Sequence, residues 1–364
     1  MARRIIERNL QNSTLQNIYV ILQAQVNAWH KFILTTVFII LAPVLIFAAR
    51  KPLLFVKTIR TQDSNIPLYP LSGRLDYIEE TQVVWQVPSA SLLVTPKAIL
   101  FLAHGCNGRA AFFWDKSTDC AECLGLPEER VIVMHALAKG YAVIAISSTR
   151  ECWSISSDKA KVMSILSFWI KDKGLEGLPI VALGASSGGF FVSALARDYK
   201  FEAIVIMISE GLFHKMKIGR NYPPTLFVHM VKDKRRASLI RNAIDMLRSK
   251  GIDTNEIKCY PLIITPEYFT KIPGLDSMTS HRIYKVFKET GVIGHDNLMR
   301  LDGRAMNWMM PLKERQVMPD NYYKLWDMHV QELLNLAYGF HEMTSIQSNE
   351  IFEWLGSQML KQGV

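Results

Sequence analysis

One stretch limits this chain to a narrow set of folds. Residues 178–195 read LPIVALGASSGGFFVSAL: a short apolar run, then Gly184-Ala185-Ser186-Ser187-Gly188-Gly189, then a second apolar run. That is the form strand, G-x-S-x-G turn, helix, which lifts a serine hydroxyl out of a sheet toward a substrate. A strand turning at once into a helix strains the central residue, and side chains at Gly184 and Gly188 would collide with neighbouring backbone. The helix that follows points unpaired N–H groups at any negative charge developing nearby. A phosphate-binding turn is the competing reading, yet the chain holds neither G-x-x-x-x-G-K-[ST] nor G-x-G-x-x-G. Ser186 is therefore the candidate nucleophile.

The surrounding pattern fits that turn. Apolar runs at 82–87, 98–103, 141–146, 203–208 and 225–230 read as strands, and the segments between them carry helical spacing, such as Val162, Ile165, Leu166, Trp169 and Ile170. Strands alternating with helices predict an α/β fold with a mainly parallel, doubly wound sheet. Residues 260–335 break the alternation with Pro, Met and aromatics, and are too long for a plain loop, so they must hold helices of their own. The last helix, through Ile351, Phe352, Leu355 and Met359, follows a capping box at Thr344 to Gln347.

Charge excludes one class of partner. The chain of 364 residues carries a net charge of +9, but residues 1–60 hold Arg3, Arg4, Arg8, Lys31, Arg50, Lys51, Lys57 and Arg60 against Glu7 alone. A basic surplus flanking one apolar segment predicts membrane association rather than nucleic-acid binding. That segment, residues 32–49 (FILTTVFIILAPVLIFAA), is uncharged and just long enough to cross a hydrocarbon core of about 30 Å. It reads as a single transmembrane helix, with residues 1–31 as an N-terminal segment, 50–80 as a linker and 81–364 as the catalytic body. The basic residues after the span favour an endomembrane protein with a cytosolic body; the sequon at Asn12 would then be lumenal. Five cysteines, an odd count without framework spacing, suit a reducing compartment, and Cys120-x-x-Cys123 reads as a loop with two thiols.

A serine needs a base within reach, and the base needs an orienting acid. Asp233 follows the run 225–230, and His341 stands directly ahead of the last helix, which gives the order Ser, Asp, His expected after such a turn. Glu210 is the alternative acid. His295 and His329 are alternative bases, while His229 lies inside a strand and reads as core. An oxyanion needs two N–H donors; Ser187 supplies one, and the loop HGCNG, with Gly105 and Cys106, is placed to supply the second.

Together these residues resemble the α/β-hydrolase superfamily over roughly residues 80–360: HG after an early strand, G-A-S-S-G, an Asp after a late strand and a His before the last helix. The segments SSTRECWS and ELLNLAYGFHEMTS are similar to those of a plant and algal group of membrane-anchored hydrolase-like proteins. The resemblance implies a serine hydrolase that cleaves a carboxylic ester or thioester through an acyl-enzyme, with no metal or organic cofactor. Its implied partners are a small-molecule or lipid-like ester and the membrane, and its inserted segment would be a lid or pocket wall. An acyltransferase would use the same residues, and a non-catalytic ligand-binding or scaffold protein on this fold is the reading of a different class.

Overall fold

A computed structural model describes residues 69–88 and 94–361. The expected span at 32–49 lies outside the described residues. Among those described, no helix is long and apolar enough to cross a membrane.

Eight strands form one sheet: β1 (Arg74–Ile78), β2 (Thr81–Gln86), β3 (Ala98–Ala103), β4 (Tyr141–Ile146), β5 (Ile180–Ala185), β6 (Ala203–Met207), β7 (Thr225–Met230) and β8 (Thr254–Cys259), in the order β1-β2-β4-β3-β5-β6-β7-β8. From β4 to β8 every neighbouring pair is parallel; β1 and β2 pair antiparallel at one edge. The central strands are apolar throughout because helices cover both faces, so β3 and β4 are buried at every position.

Side chains alternate across the sheet, and the two sets enter separate cores. Ala98, Leu100 and Leu102 join Ile132, Val133 and Leu137 of α1 (Pro127–Ala138) and Phe352 and Leu355 of α9 (Ser348–Lys361). Ile99 and Phe101 join the opposite core with Val162, Leu166 and Trp169 of α2 (Ile155–Asp172) and Phe191 and Leu195 of α3 (Ser187–Leu195). The same core takes Ile240, Ile244 and Leu247 of α4 (Lys234–Ser249). Each such large apolar side chain contributes about 1.5–3 kcal/mol on burial.

Two strands lie where the sequence pattern shows none. β1 falls within the stretch read as a linker, and β8 (TNEIKC) alternates polar residues because it is an edge strand with solvent on much of its surface.

The inserted segment has its own core. α5 (Ser277–Glu289), α6 (Met309–Glu314), α7 (Asp320–Leu325) and α8 (Asp327–Tyr338) enclose Phe269, Ile283, Phe287, Leu312, Leu333 and Leu334. Tyr268, Trp308, Tyr323 and Trp326 are buried there too. Much of the aromatic content of this segment thus packs the insertion itself.

Candidate active site

The strand order reverses at β3, whose neighbours are β4 on one side and β5 on the other. Loops leaving such a switch point open a crevice at the carboxyl ends of the strands. The loop after β3 carries Gly105 and Cys106, and the turn after β5 carries Ser186.

Ser186 has φ 52° and ψ −114°, a conformation that costs a non-glycine residue of order 1–3 kcal/mol. The glycines around it are required by crowding. A Cβ on Gly184 would stand 2.3 Å from the Gly188 carbonyl oxygen, and one on Gly188 would stand 2.2 Å from that of Ala103. Both obstacles are backbone and cannot swing aside. Gly105 differs: its Cβ would meet Ser186 Cβ at 3.7 Å, ordinary contact, so sterics in the resting protein do not require glycine there.

His341 reaches the serine from the far end of the chain. α8 stops at Gly339, whose φ of 68° is left-handed, and a Cβ there would press on the Pro261 backbone at 2.8 Å. The chain then turns so that His341 Nε2 lies 3.0 Å from Ser186 Oγ. Arg304 steadies this loop by donating to the His341 carbonyl at 2.5 Å and to Glu342 at 2.7 Å. Glu128 of α1 accepts from the Ser345 amide at 2.7 Å and anchors the loop's other end.

The acid side departs from expectation. Asp233 caps α4 by accepting from the Arg236 amide at 2.9 Å, and its other oxygen accepts from the Arg236 guanidinium at 2.5 Å. The same guanidinium nitrogen, Nη1, donates to His341 Nδ1 at 2.9 Å, while Nε donates to Glu210 at 3.1 Å. Asp233 and Glu210 are therefore both joined to the histidine through Arg236, which occupies the position an orienting carboxylate would take. Arg236 is the residue that sequence reasoning passes over: in the run KDKRR it reads as solvated charge. Burial first, then Arg236 and Arg304, hold the His341 imidazole down at about 4, against the opposing pull of Asp233 and Asp302.

The alternative bases are elsewhere. His295 is exposed, and buried His329 faces the Leu124 carbonyl at 3.1 Å. His229 is buried in β7, as expected, and pairs with Glu256 at 2.7 Å.

On the oxyanion side, no hydrogen bond within the described residues engages the amides of Gly105, Cys106 or Ser187. His104 fixes the shape of this loop. Its Nδ1–H donates to the Gly105 carbonyl at 2.6 Å and its Nε2 accepts from the Ser148 amide at 3.0 Å, and burial holds its pKa down at about 4 against the opposing pull of the Gly105 carbonyl and Asp158. Trp153 donates to the His104 carbonyl at 2.9 Å and stacks on Phe191 of α3 at 4.4 Å. Cys106 is bonded to Cys152, which ties the loop to the segment bearing Trp153. Cys120 and Cys123 form a second disulfide, leaving Cys259 as the one free thiol among the described residues. The odd count therefore conceals two pairs, one of them joining residues 46 apart.

Among the described residues no group of three or more His, Cys, Asp or Glu side chains is arranged to hold a metal ion. A surface recess lined by Ile218, Arg220, Ser249 and Lys250 lies at the opposite end of α4 from Asp233 and takes no part in the site.

No family profile matches the chain, and no curated protein does. Solved structures with which it aligns include a Thermus thermophilus protein at 15% identity, covering 53% of this chain and 90% of that one, with a TM-score of 0.39. A dienelactone hydrolase from Anabaena variabilis aligns at 14% identity over 53% of this chain and 87% of its own, TM-score 0.41. A Pyrococcus furiosus esterase aligns at 14% identity over 52% and 83%, TM-score 0.36.

Proposed function

We propose that the protein is a serine hydrolase of the α/β-hydrolase type, acting on a carboxylic ester or thioester. The observation that carries the reading is the 3.0 Å approach of His341 Nε2 to the hydroxyl of a serine held at positive φ on a strand-to-helix turn. Ser186 attacks the carbonyl and His341 takes its proton, then returns it to the leaving alcohol or thiol. The N–H groups of Ser187 and of Gly105 or Cys106 receive the oxyanion, each such donor being worth about 2.7–4 kcal/mol in the transition state. Water releases the acyl group in a second round over the same residues; an acceptor alcohol or amine in place of water would make the protein an acyltransferase. Asp233 is the proposed orienting acid.

The reading of a non-catalytic binding protein has one observation in its favour, the guanidinium on His341 Nδ1. A fluorophosphonate probe separates the two. Covalent labelling that disappears in Ser186→Ala is expected of the hydrolase, and folded protein that never reacts belongs to the binding protein.

Attachment to a membrane enters the proposal through the apolar residues 32–49. The two disulfides favour an oxidising compartment for the catalytic body, opposite to the side that the flanking charges suggest. Protease protection of the body in sealed vesicles is expected if it is lumenal; digestion from outside points to the cytosol.

A further inference from the structure

We infer that Arg236 is a latch on His341 with two seats. In the seat described it keeps the imidazole from acting as a base, and the site becomes competent when the guanidinium moves wholly onto Glu210 and leaves His341 Nδ1 to Asp233. The inference concerns the same site and draws its functional meaning from the hydrolase reading, but its geometry stands independently.

The chemistry of the donor decides the tautomer. A guanidinium in a protein keeps its protons and has no acceptor atom, so a nitrogen 2.9 Å from Arg236 Nη1 must offer a lone pair. His341 Nδ1 is that nitrogen, and a neutral imidazole with a bare Nδ1 carries its proton on Nε2. The contact to Ser186 Oγ at 3.0 Å is then Nε2–H donating to the hydroxyl oxygen, the reverse of what proton abstraction needs. The latched site also opposes the charge that catalysis creates, because an imidazolium formed here would face a guanidinium instead of a carboxylate.

The second seat is built. Glu210 already accepts from Arg236 Nε at 3.1 Å, and its side chain is only 17% exposed. Asp233 is fixed in place through one oxygen as the cap of α4, while its other oxygen holds only the Nη1 that also holds His341. Withdrawing that one nitrogen brings carboxylate and imidazole face to face. The proton count closes: Nε2 gives its proton to water, Nδ1 takes one from water and keeps it in a hydrogen bond to the Asp233 carboxylate, and Nε2 turns a lone pair to the serine hydroxyl. The charged groups acting on the imidazole are Asp233 and Arg236 of α4 and Asp302 and Arg304 of the insertion, with Glu342 beside it on its own loop, and Glu210 after β6 is linked to it through Arg236.

The test reads the tautomer directly. In full-length protein labelled with ¹⁵N-histidine at pH 7, signals lost in His341→Gln identify the residue. The wild type is expected to show a bare Nδ1 and a protonated Nε2, and Arg236→Met is expected to reverse them. Fluorophosphonate labelling of Ser186 in Arg236→Met should be at least about tenfold faster, since the competent fraction scales the observed rate. The acidic limb of its pH profile should move upward from near 4. Glu210→Gln, which removes the second seat, should label more slowly than wild type while keeping its circular dichroism.

A wild type already protonated on Nδ1, or an unchanged tautomer in folded Arg236→Met, overturns the latch whatever the activity. Faster labelling of Glu210→Gln overturns it as well. A tautomer that reverses as expected while Ser186 stays unreactive in every variant upholds the latch and removes the hydrolase reading instead.

Discussion

The turn at Ser186 and the acid side of His341 lie within a few ångströms of each other but are specified in different ways. At the turn, backbone crowding leaves one conformation: Gly184 is pressed by Gly188 within the turn itself, and Gly188 by the Ala103 carbonyl at the end of the neighbouring strand β3. On the acid side, four charged or titratable groups from three separate segments, Glu210, Asp233 with Arg236, and His341, share hydrogen bonds that could be exchanged by one side-chain rotation. Backbone sterics produce a rigid half, and side-chain electrostatics produce a half with alternatives. Substitutions should therefore separate them: large losses of stability at the turn, small ones on the acid side with large effects on reactivity.

The largest expected effect is at the turn. Gly188→Ala places a methyl 2.2 Å from a carbonyl oxygen of β3, which the sheet cannot yield. A cost of more than about 4 kcal/mol is expected, seen as loss of cooperative thermal unfolding. An ordinary melting curve for this variant would break the contrast. The disulfide that ties the loop after β3 comes next. Cys106→Ser with Cys152→Ser removes a cross-link over 46 residues and should cost roughly 3–4 kcal/mol in denaturant titration.

On the acid side, Asp233→Ala removes a helix cap and should cost about 1 kcal/mol, whereas Asp233→Asn, which can still cap, should cost less. Both should slow labelling of Ser186 far more than they lower the melting temperature.

The smallest effect is a pH slope. Burial raises Glu342 to about 7, against the pull of Arg304 and Asn335. A carboxyl whose native value lies above its ordinary 4.5 favours the fold in its protonated form, so its contribution is complete below that pH and is lost as the pH rises through about 7. Its neighbour His341 has the opposite sign, contributing fully above 6.5 and losing the contribution as the pH falls through about 4. With its side chain 18% exposed, Glu342→Gln should gain about 1 kcal/mol relative to wild type between pH 5 and 8, read from paired melting curves. Parallel curves at the two pH values would contradict the assignment.

The same division explains what the sequence makes legible. The buried strands β3 to β7 announce themselves because both faces are apolar, and the G-x-S-x-G turn because only glycine fits where it does. His341 is legible from its place before α9. Edge strands β1 and β8 are not, since solvent allows polar residues on them. Arg236 is invisible because its role depends on where β6 and the turn after α8 bring Glu210 and His341, which no local pattern encodes. The Cys106–Cys152 pair is hidden for the same reason, its partners meeting only once β3 and β4 are side by side.

The most direct test is the chemistry of one hydroxyl. Full-length wild type and Arg236→Met are treated with a fluorophosphonate, digested, and the adduct is located by mass spectrometry. An adduct on the Ser186 peptide, faster in Arg236→Met and absent from both Ser186→Ala and protein unfolded beforehand, is the expected result. Folded wild type and Arg236→Met that both leave Ser186 unmodified would contradict a nucleophilic serine at this turn.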